Sequence, residues 1–146
     1  MIGLAGLTLT FGMWWIYFAL PNARLLHARP QRMLSWSYGH IVLFAAIAGT
    51  GAGPHVAAYY VEGKTHLNEL ATVLAIAVPV GLYLVAVFAL FAYLAPGRHS
   101  LKAVLLIGSF ALLALVPAMA ARGVSLTACL LVLMLVPWVT VLGYEM

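Results

Sequence analysis

Five long apolar runs constrain this chain more than any other feature of its sequence. They lie at about residues 2–20, 34–60, 67–94, 101–121 and 125–144 and account for nearly all of it. A helix needs about 20 consecutive apolar residues to cross a bilayer, and each run is of that order. The runs are continuously apolar rather than alternating, which selects helices over the strands of a membrane barrel. The expected fold is all-α: a polytopic membrane helical bundle of about five transmembrane helices, in a single domain over residues 1–146. Only 7% of the residues are charged, against roughly a quarter in a soluble domain. A surface so poor in charge faces lipid, so the bilayer is the first expected partner. No stretch remains for a soluble domain of any size.

The connections are short, so successive helices should run antiparallel. The first carries Arg24, Arg29 and Arg32, and the third carries Arg98 and Lys102; the opposite side has only Lys64 and Arg122. Positive charge in short loops collects on the cytoplasmic side. The first and third connections are therefore expected in the cytoplasm, with the N-terminus outside and the C-terminus inside. The net charge of +4 reads as orientation, and no nucleic-acid partner is expected. The start, MIGLAGLTLTFGMWW, lacks a basic region and a small-residue cleavage site before a polar chain. It reads as a membrane helix rather than a signal peptide. Cys129 is the only cysteine and sits in an apolar run, so no intrachain disulfide can form and a buried, inert thiol is expected.

Within the runs, Pro79, Pro117 and Pro137 each remove a backbone N–H, and a kink is expected at each. Pro79 with Gly81 is the pair that most loosens mid-helix and is the expected hinge. On the second run Ala45, Gly49 and Gly53 recur every four residues and form a helix-packing stripe of the kind that lets two backbones approach in lipid. His40 lies on roughly the opposite face, with Trp36, Phe44, Ile47 and Gly51.

Polar groups at membrane depth are costly, so each carries a functional expectation. Tyr17, Tyr38 and His40 should lie at similar depth near the cytoplasmic end. They can form a hydrogen-bonded, proton-handling cluster, because imidazole titrates near neutral pH and phenol both donates and accepts. The competing reading assigns the tyrosines, with Trp14, Trp15 and Trp36, to an interfacial aromatic belt. On the other side His66 and Glu69 share a helix face, but two donors without a third make no metal site. His40 and His55 sit on one helix with no histidine partner across from them, so bis-His haem ligation has no basis. Neither a metal nor a cofactor is expected. The chain has no Asp, no phosphate-binding loop and no H-E-x-x-H, so no enzyme is expected either.

Trp14-Trp15-x-Tyr17-Phe18, a basic loop and Tyr38-Gly39-His40 leading into a helix that ends in repeated glycines resemble the bacterial low temperature requirement protein A family. The stretch Val80-Gly81-Leu82-Tyr83-Leu84 is similar too. The resemblance implies a multi-pass protein of the bacterial cytoplasmic membrane. It places this chain against the C-terminal half of proteins about twice as long, with no defined chemistry. Two positions depart from the family pattern. Ala19 stands where members often carry an acid after the W-W-x-Y-F element, and Pro54-His55 stands where an acid tends to follow the last glycine. Two functions remain open. One is transport- or channel-related, using the polar cluster and hinge with an unknown small molecule or ion. The other is a non-catalytic assembly module, partnered by a second copy or a second helical half. The first predicts a water-accessible cavity at the cytoplasmic end lined by those residues, and the second a His40 surrounded by protein or lipid.

Overall fold

A computed structural model describes residues 2–95 and 100–145. Arg98 lies outside the described residues, as does the Lys102 side chain, so the orientation reading keeps only its first-loop arginines there. The described residues form helices and no strand: α1 (Ile2–Ala19), α2 (Asn22–His27), α3 (Met33–Val61), α4 (Glu69–Leu94), α5 (Ser100–Ala121), α6 (Leu126–Leu133) and α7 (Val136–Glu145), with a single 3₁₀ turn at Pro30–Arg32. Four stretches are long and apolar enough to cross a membrane: Ile2–His27, Pro30–Val61, Glu69–Leu94 and Leu126–Gly143; Leu106–Ala121 is a shorter apolar helix. The molecule is an all-α helical membrane bundle.

The 29 residues of α3 rise about 43 Å at 1.5 Å each, more than a hydrocarbon core of about 30 Å. That helix must tilt or project beyond the core.

Local chemistry sets the ends. The α3–α4 and α5–α6 connections both turn on a glycine with positive φ, Gly63 (67°) and Gly123 (78°). In each, the glycine N–H and the next N–H fold back on the last turn: Gly63 to Tyr60 and Lys64 to Tyr59, Gly123 to Ala120 and Val124 to Met119. This is the paired helix stop that needs a residue without a Cβ. Asn68 caps α4, its Oδ1 accepting from Ala71 N–H at 2.8 Å, with Glu69 favourably placed in the first turn. At the other end of α4 the guanidinium groups of Arg29 and Arg32 donate to the carbonyls of Leu94 and Tyr93. Arg32 also lies 5.0 Å from the Tyr93 ring centroid. The first connection is thereby fastened to the C-terminus of α4, whose carbonyls and dipole favour cations.

The core is built around α4. Val73, Ile76, Val80, Tyr83, Leu84 and Val87 are all buried, and α3 and α5 pack along the helix. Three prolines face a glycine on a neighbouring helix. A Cβ on Gly49 would lie 3.1 Å from the Pro79 ring, one on Gly6 3.1 Å from Pro54, and one on Gly12 2.8 Å from Pro137. A proline ring bulges rigidly from its helix, and only glycine opposite lets the axes stay close. A buried Ser109–Thr140 hydroxyl pair at 2.7 Å ties α5 to α7.

Several expectations change. The packing stripe is not Ala45-Gly49-Gly53: Ala45 is exposed, whereas Leu43, Ala46, Thr50, Gly53 and Ala57 are buried. A strict four-residue step drifts about 40° around the helix each time, while alternating steps of three and four hold a straight seam. Gly49 and Gly53 keep their place, packing against Pro79 and Ile76. The run expected as one helix at 125–144 is α6 and α7, separated at Met134-Leu135, where Leu135 N–H reaches back to Val132 in a tighter turn. Pro137 cannot donate to Leu133, and the helix breaks just before it. At Pro79 and Pro117, by contrast, α4 and α5 are each continuous.

Candidate functional site

The helices α1 and α3 meet at two places and diverge between them. Toward the Gly63 end the contact is Gly6 with Pro54. Toward the arginine-loop end it is Tyr17 with His40, the phenol oxygen 2.9 Å from Nε2. Between these contacts lies a cleft of about 410 Å³. Met13, Trp14 and Phe18 line it from α1, Phe44, Ile47 and Gly51 from α3, and Tyr83 of α4 lies beneath. Its rim is open: Trp14 is 51% exposed, Phe18 63% and Phe44 63%. The cleft opens on the side of the bundle, and its walls are chiefly apolar.

The hydrogen bonds at the closed end fix the protons. His40 Nδ1 is 2.9 Å from the carbonyl oxygen of Trp36. A carbonyl can only accept, so Nδ1 carries the hydrogen. In the neutral ring Nε2 is then the acceptor, and the Tyr17 hydroxyl donates to it. Trp36 also lies against the imidazole, with ring centroids 4.1 Å apart, and Tyr17 meets it edge-on at 5.8 Å. The ring is held on both nitrogens and on its face. Beneath, the buried Tyr83 hydroxyl donates to the Met13 carbonyl at 2.5 Å, tying α4 to α1.

Of the three residues expected in the polar cluster, the structure brings Tyr17 and His40 into contact and leaves Tyr38 out. Tyr38 is 63% exposed; two residues from His40 is about 200° around a helix, so it points away from the cleft. The α3 face anticipated with His40 does form the wall, through Phe44, Ile47 and Gly51. Pro79 and Gly81, the expected hinge, lie in packed surroundings. Pro79 faces Gly49, and a Cβ on Gly81 would lie 2.9 Å from Leu113. The sequence reading missed Tyr83 and the Trp36 carbonyl. Tyr83 falls in the continuously apolar α4, where no polar face marks its direction. The i, i+4 spacing of Trp36 and His40 was a usable signal for the carbonyl bond.

The other histidines offer less. His55 is exposed and meets the Tyr59 ring edge-on at 5.8 Å, and His66 is also exposed, beyond the Gly63 turn. Among the described residues no group of three His, Cys, Asp or Glu comes together to hold a metal. Cys129 is buried, its thiol 3.6 Å from the Val124 carbonyl.

The model of the family described as "Bacterial low temperature requirement A protein (LtrA)" matches residues 1–137. The chain belongs to the LtrA family. The match takes in α1 to α6 and so includes every residue of the α1–α3 cleft, which places the cleft within the LtrA-conforming part of the chain. Neither a curated protein nor a solved structure matches the chain. Membership in the LtrA family agrees with the helical architecture in making this an integral membrane protein.

Proposed function

We propose that the chain is a transport-related membrane protein whose substrate site is the α1–α3 cleft, with the hydrogen-bonded Tyr17–His40 pair as its polar end. The observation that carries the reading is the cleft itself: about 410 Å³ closed at one end by a single interhelical hydrogen bond. That volume suits a small organic molecule, and a packing module has no use for such a gap between two helices. The small-residue stripe that an assembly module would offer a second copy or a second helical half is already occupied here, Gly49 by Pro79 and Gly53 by Ile76. The proposed role is non-catalytic.

The proposed setting is the bacterial cytoplasmic membrane, with the arginine loop and the Tyr17–His40 end on the cytoplasmic side. Arg24, Arg29 and Arg32 support that orientation. Substrate then passes between the lateral opening and the cytoplasmic end when the pair parts. The test is thiol accessibility in a Cys129→Ser background carrying His40→Cys. A membrane-impermeant reagent should label position 40 from the cytoplasmic face of vesicles and not from the other. Labelling from neither side would return His40 to a dry packing role.

A further inference from the structure

The hydrogen bonds in the cleft specify which ligands it can read. Its hydroxyl and imidazole hydrogens are all committed within the chain. Tyr17 donates to His40 Nε2 and His40 Nδ1 to the Trp36 carbonyl. Tyr83 donates to Met13, Thr10 to Gly6 at 2.8 Å and Thr50 to Ala46 at 2.9 Å, each through a backbone carbonyl. What these groups still offer are oxygen lone pairs, since a hydroxyl that donates once can also accept. The remaining side-chain donor on the wall is the indole of Trp14, at the half-exposed rim. No charged side chain lines the cleft, and its mouth opens on the side of the bundle between the exposed rings of Trp14, Phe18 and Phe44.

We infer that the cleft takes a lipid-soluble molecule bearing a hydrogen-bond donor, a hydroxyl on an apolar body, which enters from the bilayer and presents its hydrogen to the Tyr17 and Tyr83 oxygens. This rests on the cleft being the substrate site proposed above. A donor-free apolar molecule fills the same walls but leaves the oxygens unpaired; a pure acceptor finds no hydrogen at the closed end. A site that hydrogen-bonds a hydroxyl discriminates against the analogue lacking it for the same reason.

The test uses the full chain in lipid nanodiscs, with 4-octylphenol and its methyl ether as a matched pair of probes, each corrected for partition into protein-free discs. The phenol should bind saturably and about tenfold more tightly than the ether, on the order of one hydrogen bond. Gly51→Leu supplies the control, because nothing lies within 4 Å of a Cβ at Gly51. The new side chain enters the cleft without a clash, so it should abolish phenol binding while thermal unfolding stays unchanged or improves. Trp14→Phe should leave the phenol preference in place. Equal binding of phenol and ether, both lost in Gly51→Leu, would overturn the donor rule while leaving the cleft as the site. Phenol binding unaffected by Gly51→Leu would overturn the cleft itself.

Discussion

Pro79 of α4 seats its ring against Gly49 of α3, where a Cβ would come within 3.1 Å of two ring carbons. The ring cannot rotate away, so the helices themselves would have to part. Gly49→Ala should therefore cost about 1–2 kcal/mol, overpacking outweighing the helix propensity that alanine brings. Gly51→Ala, two residues along and facing open space, should be neutral or stabilising. Thermal unfolding of the two variants in one detergent checks the contrast.

The Tyr17–His40 bond joins α1 and α3 at the arginine-loop end, opposite their contact at Gly6 and Pro54. Tyr17→Phe keeps the ring and removes the donor, so a loss of about 1 kcal/mol is expected. In a double-mutant cycle with His40→Ala, the coupling should carry most of that loss. Additive effects would mean that the bond contributes nothing.

Tyr17→Phe also removes one of the two phenol oxygens that line the cleft. The preference for phenol over ether should therefore narrow in that variant, by up to the worth of one hydrogen bond. Probe binding to the native chain and the variant, side by side, checks this.

Arg29 and Arg32 hold the first connection onto the carbonyls of Leu94 and Tyr93. Arg29→Ala and Arg32→Ala should each destabilise by about 1 kcal/mol, and together they should free the 20–32 segment. Limited proteolysis should then cut within that segment several-fold faster than in the native chain, with the helices intact by circular dichroism.

The apolar runs made the helices legible, because nothing but a lipid-facing helix fits about 20 apolar residues without alternation. The shared level of Tyr17 and His40 was legible from depth: both lie a short way in from the same connection, on consecutive membrane helices. What depth cannot give is rotation. Tyr38 shares the depth and faces away, Ala46 is buried where Ala45 is exposed, and Tyr83 reaches Met13 from a helix with no polar face. The break at Met134-Leu135 was half legible, since Pro137 marks a disruption but not whether the helix bends or stops. α4 runs unbroken through Pro79, whose ring is packed against Gly49.

The most direct test of the cleft's chemistry is the tautomer of His40, read by ¹⁵N magnetic resonance of histidine-labelled protein in lipid at neutral pH. Its signals are assigned by subtraction of the His40→Gln spectrum. The hydrogen bonds require a protonated Nδ1 and an unprotonated, hydrogen-bonded Nε2 whose resonance moves when Tyr17 becomes Phe. A protonated Nε2 at neutral pH, or an Nε2 resonance indifferent to Tyr17→Phe, would contradict both the Tyr17–His40 pairing and the ligand preference built on it.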